Sequence, residues 1–192
     1  MLIGACGTLL SRELDAVAMA PPEGTPLAAL AGTTKGMARA YADDGATFFA
    51  GGDLVNALAA YYYGFGWLHF GLAYGLLSLP GKKPACPFGG SKEALSPAHA
   101  AQLDEKTRRY ARLLDTACTS VATAPEPETA GAWFARRVIL VGTCYARGGR
   151  CSLAGGAEEE ALGRFSYGHG WLDAGARAGL LTVTGNRELF TL

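Results

Sequence analysis

Two stretches of this chain repeat each other at a fixed distance. ALAAYYYGFGWLHFGLAYGLL at residues 57–77 lies over ALGRFSYGHGWLDAGARAGLL at residues 161–181, an offset of 104 with no gap. Eleven of the 21 positions are identical, among them Tyr63/Tyr167, Gly66/Gly170, Trp67/Trp171, Gly71/Gly175 and Gly75/Gly179. Self-similarity of that density marks a tandem duplication, so one structural unit has to be built twice.

The repeat also decides how the chain meets water. No formally charged residue lies between Leu54 and Gly81, a run long enough to span a bilayer. The second copy, however, carries Arg164, Asp173 and Arg177 along the same helix, and such charges are expensive in lipid. Both copies are therefore expected to be helices of a water-soluble protein, and the membrane is not an expected partner. The whole chain has 17 Lys+Arg against 17 Asp+Glu. A balance of zero leaves no electrostatic footprint for nucleic acid. With 49% hydrophobic and 18% charged residues, there is ample material for a core.

Capping and stop signals divide the chain into six helices. The first covers about residues 5–20 and stops at Pro21-Pro22. Thr25 caps the second, with Pro26 at its first position; Leu27, Leu30, Thr34, Met37, Tyr41 and Phe48 form its apolar stripe, and Gly51-Gly52 ends it. Asp53 caps the third, which runs to about Leu79. Residues 80–95 are rich in Pro and Gly and read as a linker. Ser96-Pro97 opens a fourth helix to about Thr123, the fifth covers about 128–147, and the sixth about 157–183. Matching Phe49–Gly52 with Tyr145–Gly149 places an insertion of about eight residues around Arg150–Gly156 in the second copy. The expected fold is all-α: two tandem up-and-down three-helix bundles related by pseudo-symmetry, at residues 1–79 and 96–192.

On the sixth helix, Leu162, Phe165, His169, Leu172, Ala176 and Leu180 share one stripe, which is the core face. Gly168, Gly175 and Gly179 form a second. Glycine costs about 1 kcal/mol against alanine inside a helix, so a repeated glycine stripe implies a closely packed neighbour. Tyr63, Trp67, Gly71, Trp171 and Gly175 are accordingly expected to pack one copy against the other. Ser166, Asp173 and Arg177 form a polar arc with His169 at its edge. Asp173–Arg177 and His169–Asp173 are each one helical turn apart. With Tyr167 they make the candidate ligand site, Arg177 offering a fork of donors to an anion. The first copy has Phe65, His69 and Ala73 at the positions of His169, Asp173 and Arg177, and is expected to lack this chemistry.

No catalytic motif is present. The five cysteines, Cys6, Cys86, Cys118, Cys144 and Cys151, are scattered, which suits a reducing cytoplasm. The histidines are far apart, so neither metal nor cofactor is expected. The N-terminus lacks the basic and apolar regions of a secretory signal.

The segment Tyr41–Ala57, YADDGATFFAGGDLVNA, followed by a YGxGWLDAGxRxGL motif that is best kept at Tyr167–Leu180, resembles the archaeal family known as domain of unknown function 357. That resemblance implies a small up-and-down three-helix bundle and no assigned activity. This chain departs from it: His69 and Ala73 replace the motif's Asp and Arg in the first copy, and the Gly-Asp before the last helix is missing from the second. The expected function is a non-enzymatic module that binds a protein or a small ligand, with homo-oligomerisation open. The alternative is an anion-binding protein or enzyme using the His169/Asp173/Arg177 face.

Overall fold

The structure is a computed structural model describing residues 3–81, 83–88 and 95–191. The first copy contributes α1 (Ile3–Ala16), β1 (Ala18–Met19), α2 (Pro26–Ala50), α3 (Leu54–Ala73) and β2 (Leu77–Ser78). The second contributes α4 (Ala100–Thr119, entered through a 3-10 turn at Pro97–His99), β3 (Val121–Thr123), α5 (Ala130–Ala154), α6 (Glu158–Arg177) and β4 (Leu181–Val183). A second 3-10 turn, Arg187–Leu189, lies in the C-terminal segment.

Each copy is a three-helix bundle clasped by a two-stranded antiparallel ribbon. Ala18 pairs with Ser78 and Met19 with Leu77; Val121 pairs with Val183 and Thr123 with Leu181. The first, third, fourth and sixth helices thus end four to six residues earlier than their hydrophobic pattern implies. The reason for α3 and α6 is a glycine in the left-handed region, Gly75 at φ 79° and Gly179 at φ 70°. Each closes a Schellman turn: Leu76 N–H donates to Gly71 O, and Leu180 N–H to Gly175 O. Gly179 is therefore a helix stop and not part of a packing stripe.

The offset of 104 extends far beyond the third helices. Both α2 and α5 have 25 residues, capped by Thr25 and Thr129 and stopped by Gly51-Gly52 and Gly155-Gly156. There is no insertion in the second copy. Gly148-Gly149, expected to end the fifth helix, lies inside it. A Cβ on Gly149 would sit 2.3 Å from the Phe165 ring, as one on Gly45 would sit 2.4 Å from the Tyr61 ring. The buried face of α2 is likewise made of small residues, Ala31, Thr34, Ala38, Ala42 and Gly45, while Leu27 and Phe48 are exposed. Small residues there let the large side chains of α3 fill the space between the helices.

The two bundles meet where α3 crosses α6. A Cβ on Gly66 would lie 2.6 Å from Tyr167 O, and one on Gly170 would lie 2.5 Å from Tyr63 O. These reciprocal contacts are those of an isologous interface, realised here within one chain. Backbone meets backbone at this point, so the close approach between copies belongs to Gly66 and Gly170. Gly71 and Gly175, assigned to it from the sequence, face their own copies: Leu77 and Thr34 in one, Val138 and Leu181 in the other. Trp67 and Trp171 are both buried, and Phe70 of α3 meets Trp171 edge-on at 5.9 Å. The wide apolar arcs of the third helices are consumed by each other.

Candidate functional site

The crossing aligns a pair of pseudo-equivalent polar clusters. In each, a tyrosine of one copy reaches across to the other copy's third helix. Tyr63 Oη donates to Asp173 Oδ2 at 2.8 Å, and Tyr167 Oη bonds His69 Nδ1 at 2.9 Å. A second tyrosine packs at a tilt against each, Tyr41 on Tyr63 and Tyr145 on Tyr167, both with ring centroids 4.4 Å apart. His69 and Asp173 are 104 residues apart and hold the same place.

The Asp173 carboxylate is closed off, although a cavity of about 200 Å³ lies beside the Tyr41 and Tyr63 rings. Asp173 is wholly buried, and besides Tyr63 it accepts from Thr191 N at 2.7 Å and from the Thr191 hydroxyl. His169 is buried beside it and donates from Nε2 to Leu189 O at 2.8 Å. Burial holds the His169 imidazole below its usual pKa, although the Leu189 carbonyl and Asp173 pull it upward. The C-terminal segment thus seals this cluster. Arg177 lies exposed one turn beyond Asp173, and no ion pair joins the two among the described residues. Ser166, read as polar-facing, is buried and donates to Leu162 O. Of the residues read as a ligand site, Tyr167 lies with His69 in the opposite cluster, and His169 and Asp173 meet each other but not Arg177.

The His69 cluster is open. Its carboxylate comes from α1: Glu13 Oε2 lies 3.8 Å from His69 Nε2, and neither of these buried atoms has a hydrogen-bond partner among the described residues. The carboxylate facing Nε2 favours a proton on that nitrogen, which leaves Nδ1 to accept from Tyr167. Glu13 Oε1 accepts from Ala85 N at 2.7 Å, which ties the segment after the first bundle over the pair. Burial raises the Glu13 carboxyl, but His69, the Ala85 amide and the Arg12 charge outweigh it and hold it below its ordinary pKa. The first copy therefore has an acid–imidazole pair of its own. Sequence reasoning missed Glu13 because it is far from His69 along the chain. The available signal was a lone carboxylate on the apolar stripe of Leu10, Leu14 and Val17.

Two cavities flank this pair. One of about 480 Å³ is lined by Arg12, Glu13, Ala16, Leu79, Lys83 and Ala85. The other, about 280 Å³, is lined by His69, Leu72, Ala73, Pro84, Arg137 and Trp171. Their ionisable lining is Arg12, Lys83 and Arg137 against one carboxylate and one imidazole. The corresponding place beside α4 is bridged instead, by Asn186 Nδ2 donating to Ser120 Oγ at 2.8 Å. Pro87 and Phe88 of the linker are packed rather than free: Phe88 lies between Tyr62, Tyr145 and Tyr167, and Tyr62 Oη donates to Pro87 O. Among the described residues no three or more His, Cys, Asp or Glu groups are placed to hold a metal ion. No described helix is long and apolar enough to cross a membrane.

A family model described as "Protein of unknown function (DUF357)" matches the chain twice, over residues 7–77 and 109–181. Both matches end on the ribbon strand that follows the third helix of its copy. No curated protein and no solved structure matches the chain.

Proposed function

The chain belongs to the DUF357 family, in duplicated form, and from that premise we propose that it is a non-enzymatic binding module that takes a small anionic ligand beside Glu13 and His69. One observation carries the reading. A Glu–His pair whose facing oxygen and nitrogen are buried, with no hydrogen-bond partner among the described residues, lies between two cavities rimmed by Arg12, Lys83 and Arg137. Cations at a partly shielded rim attract carboxylates and phosphates, and arginine does so with a planar fork. The Asp173 cluster, by contrast, has its oxygens occupied by protein donors and serves as the scaffold that fixes the crossing.

Chemistry at this site is limited to recognition. Tyr167, which bonds His69, is buried and its phenol is pushed well above its usual pKa, first by burial. A phenol so shifted is a poor nucleophile. The five thiols are all free, which supports a reducing, cytoplasmic setting.

The test is isothermal titration with inorganic phosphate, acetate and malate. Wild type should bind at least one of them saturably. The Arg12→Ala/Lys83→Ala double variant should bind it at least tenfold more weakly with an unchanged melting temperature. A panel with no binder, or equal binding by the variant, removes this reading.

A further inference from the structure

The outer face of α5 differs from its counterpart in a way the fold does not require. Trp133 is 67% exposed and Leu140 is 60% exposed, and Arg136, Arg137 and Arg147 are exposed beside them. At the equivalent places α2 has Ala29, Gly32, Thr33, Gly36 and Asp43. Both helices bury the same small-residue face against their own third helix, so the outer face is not constrained by the core. Exposed tryptophan and leucine gain nothing from water, and the sister helix folds without them.

The spacing of this face is specific. Trp133, Leu140 and Arg147 are each seven residues apart, which puts them on one line along the helix. Arg136 flanks that line and lies over the Trp133 ring at 5.5 Å. The 25 residues of α5 include four arginines and no acidic residue. Among the described residues only Arg150 of these is paired with a carboxylate, that of Asp115.

We propose that this face docks an amphipathic helix of a partner protein, with an apolar seam laid along Trp133 and Leu140 and acidic flanks on Arg136 and Arg147. A seven-residue repeat is the signature of a helix lying side by side with another, and basic flanks select acidic ones. Two apolar side chains about 10 Å apart along the axis suit a helical seam better than a bilayer, which rewards a contiguous apolar surface. A tryptophan with neighbouring arginine is also the composition of interface hot spots.

The experiment uses the full chain and a labelled three-heptad synthetic helix with Leu at its a and d positions and Glu at e and g. Fluorescence anisotropy should show binding that weakens at least tenfold in Trp133→Ala, in Leu140→Ala and in the Arg136→Glu/Arg147→Glu double variant. Arg39→Ala, on the sister helix α2, should bind like wild type. A peptide with Lys in place of Glu should not bind wild type but should bind the charge-reversed double variant. No binding of the Glu peptide, or equal binding of the two peptides, overturns the proposal. So does loss of a self-associated state on Trp133→Ala in analytical ultracentrifugation, which would assign the face to a second copy of this chain. Trp133-dependent binding to vesicles containing anionic phosphatidylglycerol, with none to the Glu peptide, would assign it to a membrane and overturn it as well.

Discussion

The second and third helices of the two copies match in length and stops, yet the copies answer the same tyrosine differently. Tyr63 meets a buried carboxylate, Asp173, whose remaining capacity is filled by Thr191. Tyr167 meets an imidazole, His69, and the carboxylate is supplied from the other side by Glu13 of α1. One arrangement is complete within the protein, and the other retains, among the described residues, buried atoms with no hydrogen-bond partner beside two cavities. Duplication within one chain permits this. A homodimer must place the same residue at both ends of its crossing, whereas a tandem copy can keep one polar contact for architecture and release the other.

The largest effect should come from the one place where the copies are truly alike. Leucine at Gly66 or Gly170 would drive a side chain into the opposing backbone, a neighbour that cannot rotate away. Each is expected to cost about 3 kcal/mol or more in urea denaturation. Gly71→Leu or Gly175→Leu, which meet side chains of their own copy, should cost about 1–3 kcal/mol. Equal losses at all four positions would mean the crossing is looser than described.

A middle-sized effect separates the clusters by pH. The native pKa of His169 lies below that of the unfolded chain, so its contribution is fully present above about pH 6.5. It is lost as the pH falls from there toward the lower native value. Glu13 has a lowered native pKa and holds its contribution until the pH drops below the ordinary carboxylate range. Melting temperature should thus decline between pH 7 and 5 through the second copy. His169→Phe, the residue used at position 65, should flatten that decline. A slope unchanged in this variant would place the acid sensitivity elsewhere.

The smallest effect concerns the entry to the third helices. Asp53 caps α3 by accepting from Asn56 N, while Ala157 begins α6 with a similar backbone and no side-chain cap. Asp53→Ala should cost about 1 kcal/mol and Ala157→Asp should return a fraction of that, read by thermal denaturation. Destabilisation by Ala157→Asp would indicate that Glu158, Glu159 and Glu160 already saturate the first turn with negative charge.

Local features were legible from the residues because their causes are local. Thr25 before Pro26, Asp53 after Gly52, and the repeated glycine–tryptophan motif announce helix starts, stops and a duplication without any knowledge of packing. The insertion was misplaced because Gly148-Gly149 looks like a stop. Whether glycine ends a helix or admits a ring into its flank is decided by the neighbour, here Phe165. The strands were hidden for a similar reason: two or three residues carry no periodicity, and only the pairing of distant ends makes them a ribbon.

The candidate site shows the same division. The sequence by itself determined that Tyr167, His169 and Asp173 lie on one helix that is repeated with altered chemistry. Asp173 and Arg177 are one turn apart, which permits an ion pair but does not oblige one. Tertiary structure alone turned Asp173 inward to Tyr63 and Thr191, left Arg177 in water, and brought Glu13 to His69. Side-chain pairing across a crossing depends on which faces two helices present at their point of closest approach. That point, at Gly66 and Gly170, is set by the mutual fit of both bundles and by no single segment of either.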